Sequence, residues 1–201
     1  MRTLRSVLLA LAAVGASLYA SAEQPTAELR AATDHVMALL RDPALQTGAN
    51  KSERRQLMRK QLDQSFDWAT VARSSLGRHW AKLTRAQQAE FVALVSRFLR
   101  ESLIDDLETH YDELDKIEYL SERIVDDCAS LKLQITTKDQ IVHPIEYRLR
   151  KSGQTWRIYD ALLEGVSLIK NYRDQFDEIL SQSSYAKLVA DIQAKIAEES
   201  H

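Results

Sequence analysis

Apolar residues in the first part of the chain recur every three or four positions, which is the spacing of one face of a helix. The first such stripe ends before Pro43, a residue that cannot continue a helix. Its members are Leu29, Ala32, Val36 and Leu39. Two further helices are predicted over residues 51–62 and 66–76, the second ending at Gly77.

A longer helix is predicted from Thr84, because Gln87 follows three residues later and completes a capping box. Its apolar positions spread over a broad face that continues to the end of the helix. They are Phe91, Leu94, Val95, Phe98, Leu99, Leu103, Leu107 and Tyr111. The pattern is typical of an amphipathic helix that is buried along one side.

Towards the middle of the chain the period changes to two, which is typical of strands with one dry and one wet face. Strands are predicted over residues 131–136 and 141–150, with a weaker one over 117–125. A fourth, over 155–163, is apolar on both faces. Polar turn residues separate the last three strands, so we expect them to be antiparallel neighbours.

A break at Gly165 follows the fourth strand and leads into another amphipathic helix. Its apolar positions are Leu168, Ile169, Tyr172, Phe176, Ile179 and Leu180. The order is therefore helices first, sheet second and helices last. It predicts an α+β fold in which a bent antiparallel sheet of about four strands faces several helices.

Two segments of the chain resemble the MlaC-like family of periplasmic lipid-shuttle proteins, also called toluene-tolerance auxiliary components. The similarity runs in matching order from about residue 30 to residue 181. The residues that carry it in the helical half are Phe66-Asp67-Trp68, Leu76-Gly77-Arg78-His79-Trp80, Leu83-Thr84-Arg85-Ala86-Gln87-Gln88 and Phe91. Those in the C-terminal half are Trp156, Tyr159-Asp160, Glu164-Gly165-Val166-Ser167-Leu168, Asn171-Tyr172-Arg173, Gln175 and Phe176.

The resemblance implies a cone-like, NTF2-related sheet whose covering helices enclose a lipid cavity. It implies a periplasmic carrier that shuttles a phospholipid between outer- and inner-membrane complexes, as the soluble component of an ABC-type lipid transport system. The partners would be the lipid itself and the membrane-bound complexes, and the carrier is expected to be a monomer. The bound lipid would be cargo, with no other cofactor and no enzymatic activity.

The cavity is expected among the long helix, the sheet and the helix after Gly165. From the pattern alone these apolar stripes are typical of plain core, and the resemblance makes part of them cavity lining. The residues expected to line the cavity are Leu94, Phe98, Leu103, Leu107, Tyr111, Leu133, Ile135, Ile145, Tyr147, Leu149, Tyr159, Leu163, Val166, Ile169, Tyr172 and Phe176.

Two alternatives stay open. MlaC-like chains often carry an aromatic residue where this chain has Leu103, so the cargo could instead be a flat sterol or hopanoid. The chain could also be an adaptor without a cavity that binds proteins through charged patches. One patch is an acidic run over residues 105–118 and the other is a basic cluster over 54–60; each is either a solvated surface or a docking site.

The N-terminus has the composition of a signal peptide. Arg2 and Arg5 precede a short apolar core, and Ala20-Ser21-Ala22 fits a cleavage site. The apolar core is too short to span a membrane, which takes roughly 20 residues. We therefore expect cleavage after residue 22 and a single exported domain over 23–201.

The mature chain would be more acidic than the full sequence, whose net charge is −2. This balance argues against a nucleic-acid partner, which requires a basic face. Cys128 is the one cysteine, so no internal disulfide is expected.

Motifs for catalysis or metal binding are weak. Ser167-Leu168-Ile169-Lys170 matches S-x-x-K, but the S-D-N and K-T-G partners of that motif do not occur in the sequence. We expect Ser167 to cap a helix and Lys170 to face solvent. The five histidines show no paired metal-ligand spacing. His143 falls on the apolar face of its strand, where it is either a core residue or a contact for a lipid headgroup.

Overall fold

The computed structural model describes residues 24–199. Within them, α-helices surround an open antiparallel sheet whose strands follow the order β1-β2-β3-β4-β5. The helices are α1 (Pro25–Arg41), α2 (Gly48–Ser65), α3 (Trp68–Leu76), α4 (Arg85–His110), α5 (Leu168–Gln182) and α6 (Tyr185–Glu199). The strands are β1 (Leu114–Val125), β2 (Cys128–Thr137), β3 (Val142–Ser152), β4 (Thr155–Leu163) and β5 (Val166–Ser167). The predicted α+β class is confirmed.

The helix boundaries follow the signals in the sequence. At the start of α4, the Thr84 hydroxyl accepts from the backbone N–H of Gln87 at 3.2 Å, and the Gln87 side chain accepts from the Thr84 N–H at 2.9 Å. The predicted capping box is therefore confirmed. Gly77 ends α3 with a φ of +52°, and a Cβ there would lie 3.1 Å from the side chain of Arg173. Both the backbone angle and the close approach of α5 call for glycine.

The first four strands form consecutive antiparallel hairpins. The pairing of β2, β3 and β4 that the turn residues predict is confirmed, and the β1–β2 hairpin adds to it. The sequence did not indicate the fifth strand, which has only two residues and pairs with the end of β4. It follows a tight turn in which Glu164 and Gly165 both have positive φ values. The sheet thus ends in a short hairpin that leads directly into α5.

A β-bulge lies in the middle of β4. Arg148 of β3 pairs with Asp160 and the next residue, Leu149, pairs with Ile158, so Tyr159 has no partner across the ladder. An extra residue in a strand reverses the face on which the following side chains lie. Ile158 and Ala161 are therefore both buried, although they are three residues apart.

The apolar side chains form separate packed groups on the two sides of the molecule. The group that we call the helical core lies among α3, α4, α5 and α6, and includes Phe91, Phe98, Phe176 and Leu188. The group that we call the sheet core lies between α1 and one face of the sheet. A further group joins α1, α2 and α4 around Met58 and Ile104.

The predicted signal peptide lies outside the described residues, and cleavage after residue 22 stays a prediction. Within residues 24–199, no helix is long and apolar enough to cross a membrane. Cys128 begins β2 and is exposed with a free thiol.

Candidate functional site

An apolar cavity of about 130 Å³ lies between the sheet core and the group around Met58 and Ile104, and it is not filled by side chains. We call it the inner cavity. Its floor is the inward face of β1, β2, β3 and β4, and α1, α2 and α4 cover it. The residues that line it are Leu29, Ala32, Thr33, Val36, Met37, Gln61, Leu62, Ser65, Phe66, Leu103, Leu107, Leu114, Ile117, Tyr119, Leu133, Ile135, Tyr147 and Ile158.

The floor follows from the period of two in the strands. Leu133 of β2 pairs with Ile145 of β3 on one side and with Tyr119 of β1 on the other. Residues that pair directly across an antiparallel sheet point to the same face. The alternating apolar residues of neighbouring strands therefore join into one continuous apolar surface under α1.

Tyr119 and Tyr147 add phenol groups to this mainly apolar wall, whose other polar members are Thr33, Gln61 and Ser65. Burial raises the pKa of Tyr147 to about 12, and burial is also the main cause of the raised pKa of Tyr119. The ring of Tyr119 also carries the guanidinium of Arg30 at 4.3 Å from its centroid, on α1. Both phenols are neutral at physiological pH, so they place no charge in the cavity.

The inner cavity adjoins a wider opening of about 650 Å³, which we call the mouth. The two spaces share Leu103, Leu107, Leu114 and Ile135. The mouth lies between the end of α4 and two turns of the sheet, the one that connects β2 to β3 and the one that connects β4 to β5. Its other lining residues are Asp106, His110, Tyr111, Glu113, Thr137, His143, Pro144, Ile145, Leu163 and Glu164.

Ionisable side chains at the mouth form two pairs. His110 Nδ1 lies 3.3 Å from Glu113 Oε1, and His143 Nδ1 lies 3.5 Å from Glu164 Oε1. His143 is half-buried on the same face as Ile145, so it stands where a headgroup could reach it. Ile141, Val142, Leu163 and Val166, on the adjoining turns, are large apolar residues that remain exposed.

A third space of about 440 Å³ adjoins the opposite end of the inner cavity, and we call it the polar cleft. The residues that it shares with the inner cavity are Leu29, Ala32, Gln61, Ser65 and Ile158. There the Glu28 carboxylate accepts from the backbone N–H of Trp156 at 2.9 Å and ties α1 to β4. The Arg157 side chain donates to the Asp63 carbonyl at 3.1 Å. Side chains tied across this end restrict it, and the mouth is the more apolar way out.

The S-x-x-K segment is accounted for by helix capping. The Ser167 hydroxyl accepts from the backbone N–H of Lys170 at 3.0 Å and donates to the buried carboxylate of Asp160 at 2.8 Å. Asp160 also accepts from the backbone N–H of Ile169 at 3.2 Å. Lys170 is exposed and pairs with Asp174 at 2.6 Å. The predicted roles of Ser167 and Lys170 are confirmed.

The basic cluster and part of the acidic run pair with each other across α2 and α4, and we call this contact the ionic seam. Arg54 Nη2 lies 2.7 Å from Glu108, and Arg59 Nη2 lies 2.7 Å from Glu101. Arg55 bridges Glu108, Asp105 and Glu101. The sequence left this basic cluster as either a solvated surface or a docking site. In the structure these three arginines are paired with carboxylates of α4.

The ionic seam shifts the pKa values of its members. The hydrogen bond from Arg59 is the main cause of the lowered pKa of Glu101, and it outweighs the effect of burial. Burial by itself would lower the pKa of Arg55. The carboxylates of Asp105, Glu108 and Glu101 outweigh burial, so the pKa of Arg55 is raised. The seam therefore holds α2 against α4 beside the inner cavity.

The structure distributes the predicted lining residues over several sites. Those at the inner cavity are Leu103, Leu107, Leu133, Ile135 and Tyr147. Those found at the mouth and not at the inner cavity are Tyr111, Ile145 and Leu163. Leu149 is at the polar cleft.

The other predicted lining residues lie away from the inner cavity. Tyr159, Val166 and Ile169 line a separate cleft beside Asp160 and Arg173. Tyr159 is there because of the bulge in β4. The helical core contains Leu94, Phe98, Tyr172 and Phe176, which pack against one another and against α6.

Sequence reasoning left out the α1 wall of the inner cavity. Leu29, Ala32 and Val36 belong to the first hydrophobic stripe, which was read only as a helix signal. Ile117 and Tyr119 lie on the weak first strand, and Ile158 lies on β4 just before the bulge. The stripe on α1 and the alternation in β1 were the available signals, but neither shows which surface lies opposite.

Comparison with known proteins decides the family. A family model described as "MlaC protein" matches residues 30–194. The chain belongs to the MlaC family. This confirms the resemblance found in the sequence, and the match covers every element from the middle of α1 to α6.

Two relatives of this MlaC-family chain differ in how much they cover. Toluene tolerance protein ttg2D of Pseudomonas putida is 27% identical over 55 residues, so the match spans 26% of that protein's length. The solved structure of a phospholipid-binding protein from Ralstonia solanacearum, in complex with a phospholipid, superposes with a TM-score of 0.72. The superposition covers 89% of this chain and 99% of the Ralstonia solanacearum chain, and the two sequences are 21% identical. The two proteins therefore share a fold.

Among the described residues, no group of three or more histidine, cysteine, aspartate or glutamate side chains is arranged to hold a metal ion. The chemistry that the site offers is apolar burial with a polar opening. A long apolar molecule with one polar end would fit such an arrangement.

Proposed function

We propose that this MlaC-family protein is a periplasmic lipid carrier that buries the acyl chains of a glycerophospholipid and leaves the headgroup at the mouth. The observation that carries the proposal is the inner cavity, an unfilled apolar space that shares lining residues with the mouth. Protein cores are normally close-packed, so a hollow one with an opening is typical of a ligand site.

The energetic requirement of lipid transport matches this arrangement. Each methylene that leaves water gains about 0.8 kcal/mol, so an acyl chain cannot cross an aqueous space unprotected. The floor of aliphatic side chains and neutral tyrosines is an apolar surface. An acyl chain can therefore move from the interior of a bilayer to this surface at little cost in free energy. Binding alone performs the function, and no bond is made or broken.

The size of the spaces indicates how the lipid would lie. Drug-sized ligands occupy roughly 300–1,000 Å³. The inner cavity, at about 130 Å³, is below that range, whereas the mouth, at about 650 Å³, is within it. A phospholipid would therefore place the ends of its tails in the inner cavity and the rest along the mouth, and full loading would widen the gap between α1 and the sheet.

Family membership and the related structure support the proposal. The structural relative, whose fold covers most of this chain, was solved in complex with a phospholipid. Transfer between membrane-bound complexes of the outer and inner membranes, with an ABC-type transporter setting the direction, is the role that we propose on the basis of family membership. The mature protein would act as the soluble step between those complexes.

The test is native mass spectrometry of residues 23–201 purified from the periplasm, with bound lipid extracted and identified. We expect a glycerophospholipid at near one-to-one stoichiometry. Recovery of a sterol or hopanoid would support a carrier with a different cargo. A protein that is purified without lipid and does not bind added lipid would contradict the proposal and favour an adaptor role.

A further inference from the structure

We propose that the mouth selects phospholipids with an amine in the headgroup, such as phosphatidylethanolamine, over net-anionic ones, such as phosphatidylglycerol. This inference rests on the proposed function, because it assigns a cargo class to the same cavity. Its basis is the charge of the side chains around the opening through which the tails would enter.

The charged residues of the mouth are of one sign. Asp106, Glu113 and Glu164 line it, and none of the described residues that line it is a lysine or an arginine. Lys138 follows the lining residue Thr137, and its backbone N–H donates to the Glu113 carbonyl at 2.8 Å, but Lys138 itself is not among the lining residues. Arg54 and Arg59 are paired with Glu108 and Glu101 in the ionic seam. A headgroup at the mouth therefore meets carboxylates without cationic side chains in the same lining.

The mouth also offers a hydrogen-bond donor for a phosphate. The Tyr111 hydroxyl accepts from the Gln46 amide at 3.3 Å, which leaves its own proton to donate. His110 and His143 each place Nδ1 beside a glutamate, so the single N–H of an uncharged imidazole can serve that carboxylate and is not counted as a phosphate donor. A phosphate can accept from Tyr111 while an ammonium group reaches a carboxylate, so a zwitterion satisfies both.

An anionic headgroup lacks the ammonium group and brings its negative charge to the same carboxylates. The mouth carboxylates are exposed, with side-chain exposures of 63% for Glu113 and 68% for Glu164, so each contribution is screened by water and salt. We expect a moderate preference: a roughly threefold to fivefold excess of the amine lipid, from a few exposed charge pairs acting together.

The experiment is a competition between two lipids with identical acyl chains. The delipidated mature protein is incubated with vesicles of equal parts phosphatidylethanolamine and phosphatidylglycerol at low salt and mildly alkaline pH, where an imidazole is uncharged. Bound lipids are then extracted and quantified by mass spectrometry. The ratio of the two bound lipids is independent of how much total lipid is taken up.

The wild-type protein should show the amine-lipid excess, and the variant Asp106→Asn/Glu113→Gln/Glu164→Gln should bring the ratio close to one. Glu113→Lys should move it towards phosphatidylglycerol. The matched control Glu53→Gln/Glu178→Gln/Glu198→Gln changes the net charge equally at exposed positions on α2, α5 and α6 and should keep the wild-type ratio.

Equal loading of the two lipids by the wild-type protein would overturn the inference and leave the carrier proposal intact. A control variant that changes the ratio as much as the mouth variant would also overturn it, because the effect would then be one of net charge. If the wild-type protein takes up neither lipid, the proposed function fails and the inference fails with it.

Discussion

The helical core and the sheet core are built from the same kinds of residue, yet one is filled and the other is hollow. In the helical core, Phe91 and Phe176 meet edge to face with ring centroids 5.9 Å apart, and Phe98 meets Tyr172 in the same way at 6.0 Å. In the sheet core, α1 lies over a floor of mainly aliphatic side chains and leaves the inner cavity open.

The difference lies in how the layers fit together. Four helices can interlock large rings from several directions, and the result approaches the packing density of a protein interior. Over the inner cavity, α1, α2 and α4 cover the sheet, and helices laid on a sheet contact it along narrow lines that leave space between them. The comparison teaches that hollowness is a property of the tertiary arrangement and not of side-chain polarity.

The largest expected effect is in the filled region. Phe176→Ala should lower the free energy of unfolding by about 3–5 kcal/mol, since it removes a ring packed on all sides. Ile135→Ala at the inner cavity should cost less, below about 2 kcal/mol, because part of its surface already faces empty space. Urea unfolding followed by circular dichroism measures both. Equal costs would show that the two regions are packed alike.

The next effect concerns the ionic seam between the two regions. Glu108→Gln should lower the free energy of unfolding by about 3 kcal/mol, because Arg54, which is 6% exposed, would lose its carboxylate partner while buried. Urea unfolding gives the value, and Glu178→Gln on the surface of α5 serves as the control. A loss no larger than that of the control would mean that water already compensates Arg54.

Filling the hollow region should separate binding from stability. Ala32→Phe places a ring in the inner cavity, so we expect phospholipid uptake to fall at least tenfold. A tenfold fall corresponds to about 1.4 kcal/mol of binding free energy. The free energy of unfolding should change little, because the ring occupies space that is already empty. Uptake is measured with a fluorescent phospholipid. Ala38→Phe, at an exposed position on the same helix, is the control. Unchanged uptake in Ala32→Phe would mean that the tails lie elsewhere.

The smallest effect is a pH dependence. The pKa of Glu101 is lowered by Arg59, so its contribution is present above the carboxyl's unfolded-state pKa and is lost as the pH falls through the lowered folded-state value. Glu101→Gln should therefore cost about 1 kcal/mol at neutral pH and progressively less below pH 4. Urea midpoints at a series of pH values test this. A cost that stays constant with pH would exclude the ion pair as its source.

Much of the fold could be predicted from the sequence, because its signals are local. The capping box at Thr84, the glycine at the end of α3 and the alternation in β2 and β3 each depend on a few neighbouring residues. The exact face of β4 could not be predicted in the same way. One bulged residue, Tyr159, reverses the face on which the following side chains of β4 lie. The bulge is set by the pairing of β4 with β3.

The candidate site was predicted in part. Leu133, Ile135 and Tyr147 lie at the inner cavity, whereas Phe98, Tyr172 and Phe176, which have equally apolar patterns, lie in the helical core. A periodic stripe shows that a side chain is buried and not what lies opposite it. For the same reason the partners of Arg54, Arg55 and Arg59 could not be predicted, since they come from a helix about fifty residues away.

The most direct test of the account is to map where an acyl chain lies. The mature protein would be loaded with a phospholipid that carries a photoreactive group near the end of one tail, irradiated, and analysed by peptide mass spectrometry. The account predicts labels on α1, within Pro25–Arg41, and on β2, within Cys128–Thr137. Labels concentrated on α5 and α6 instead, within Leu168–Gln182 and Tyr185–Glu199, would contradict it.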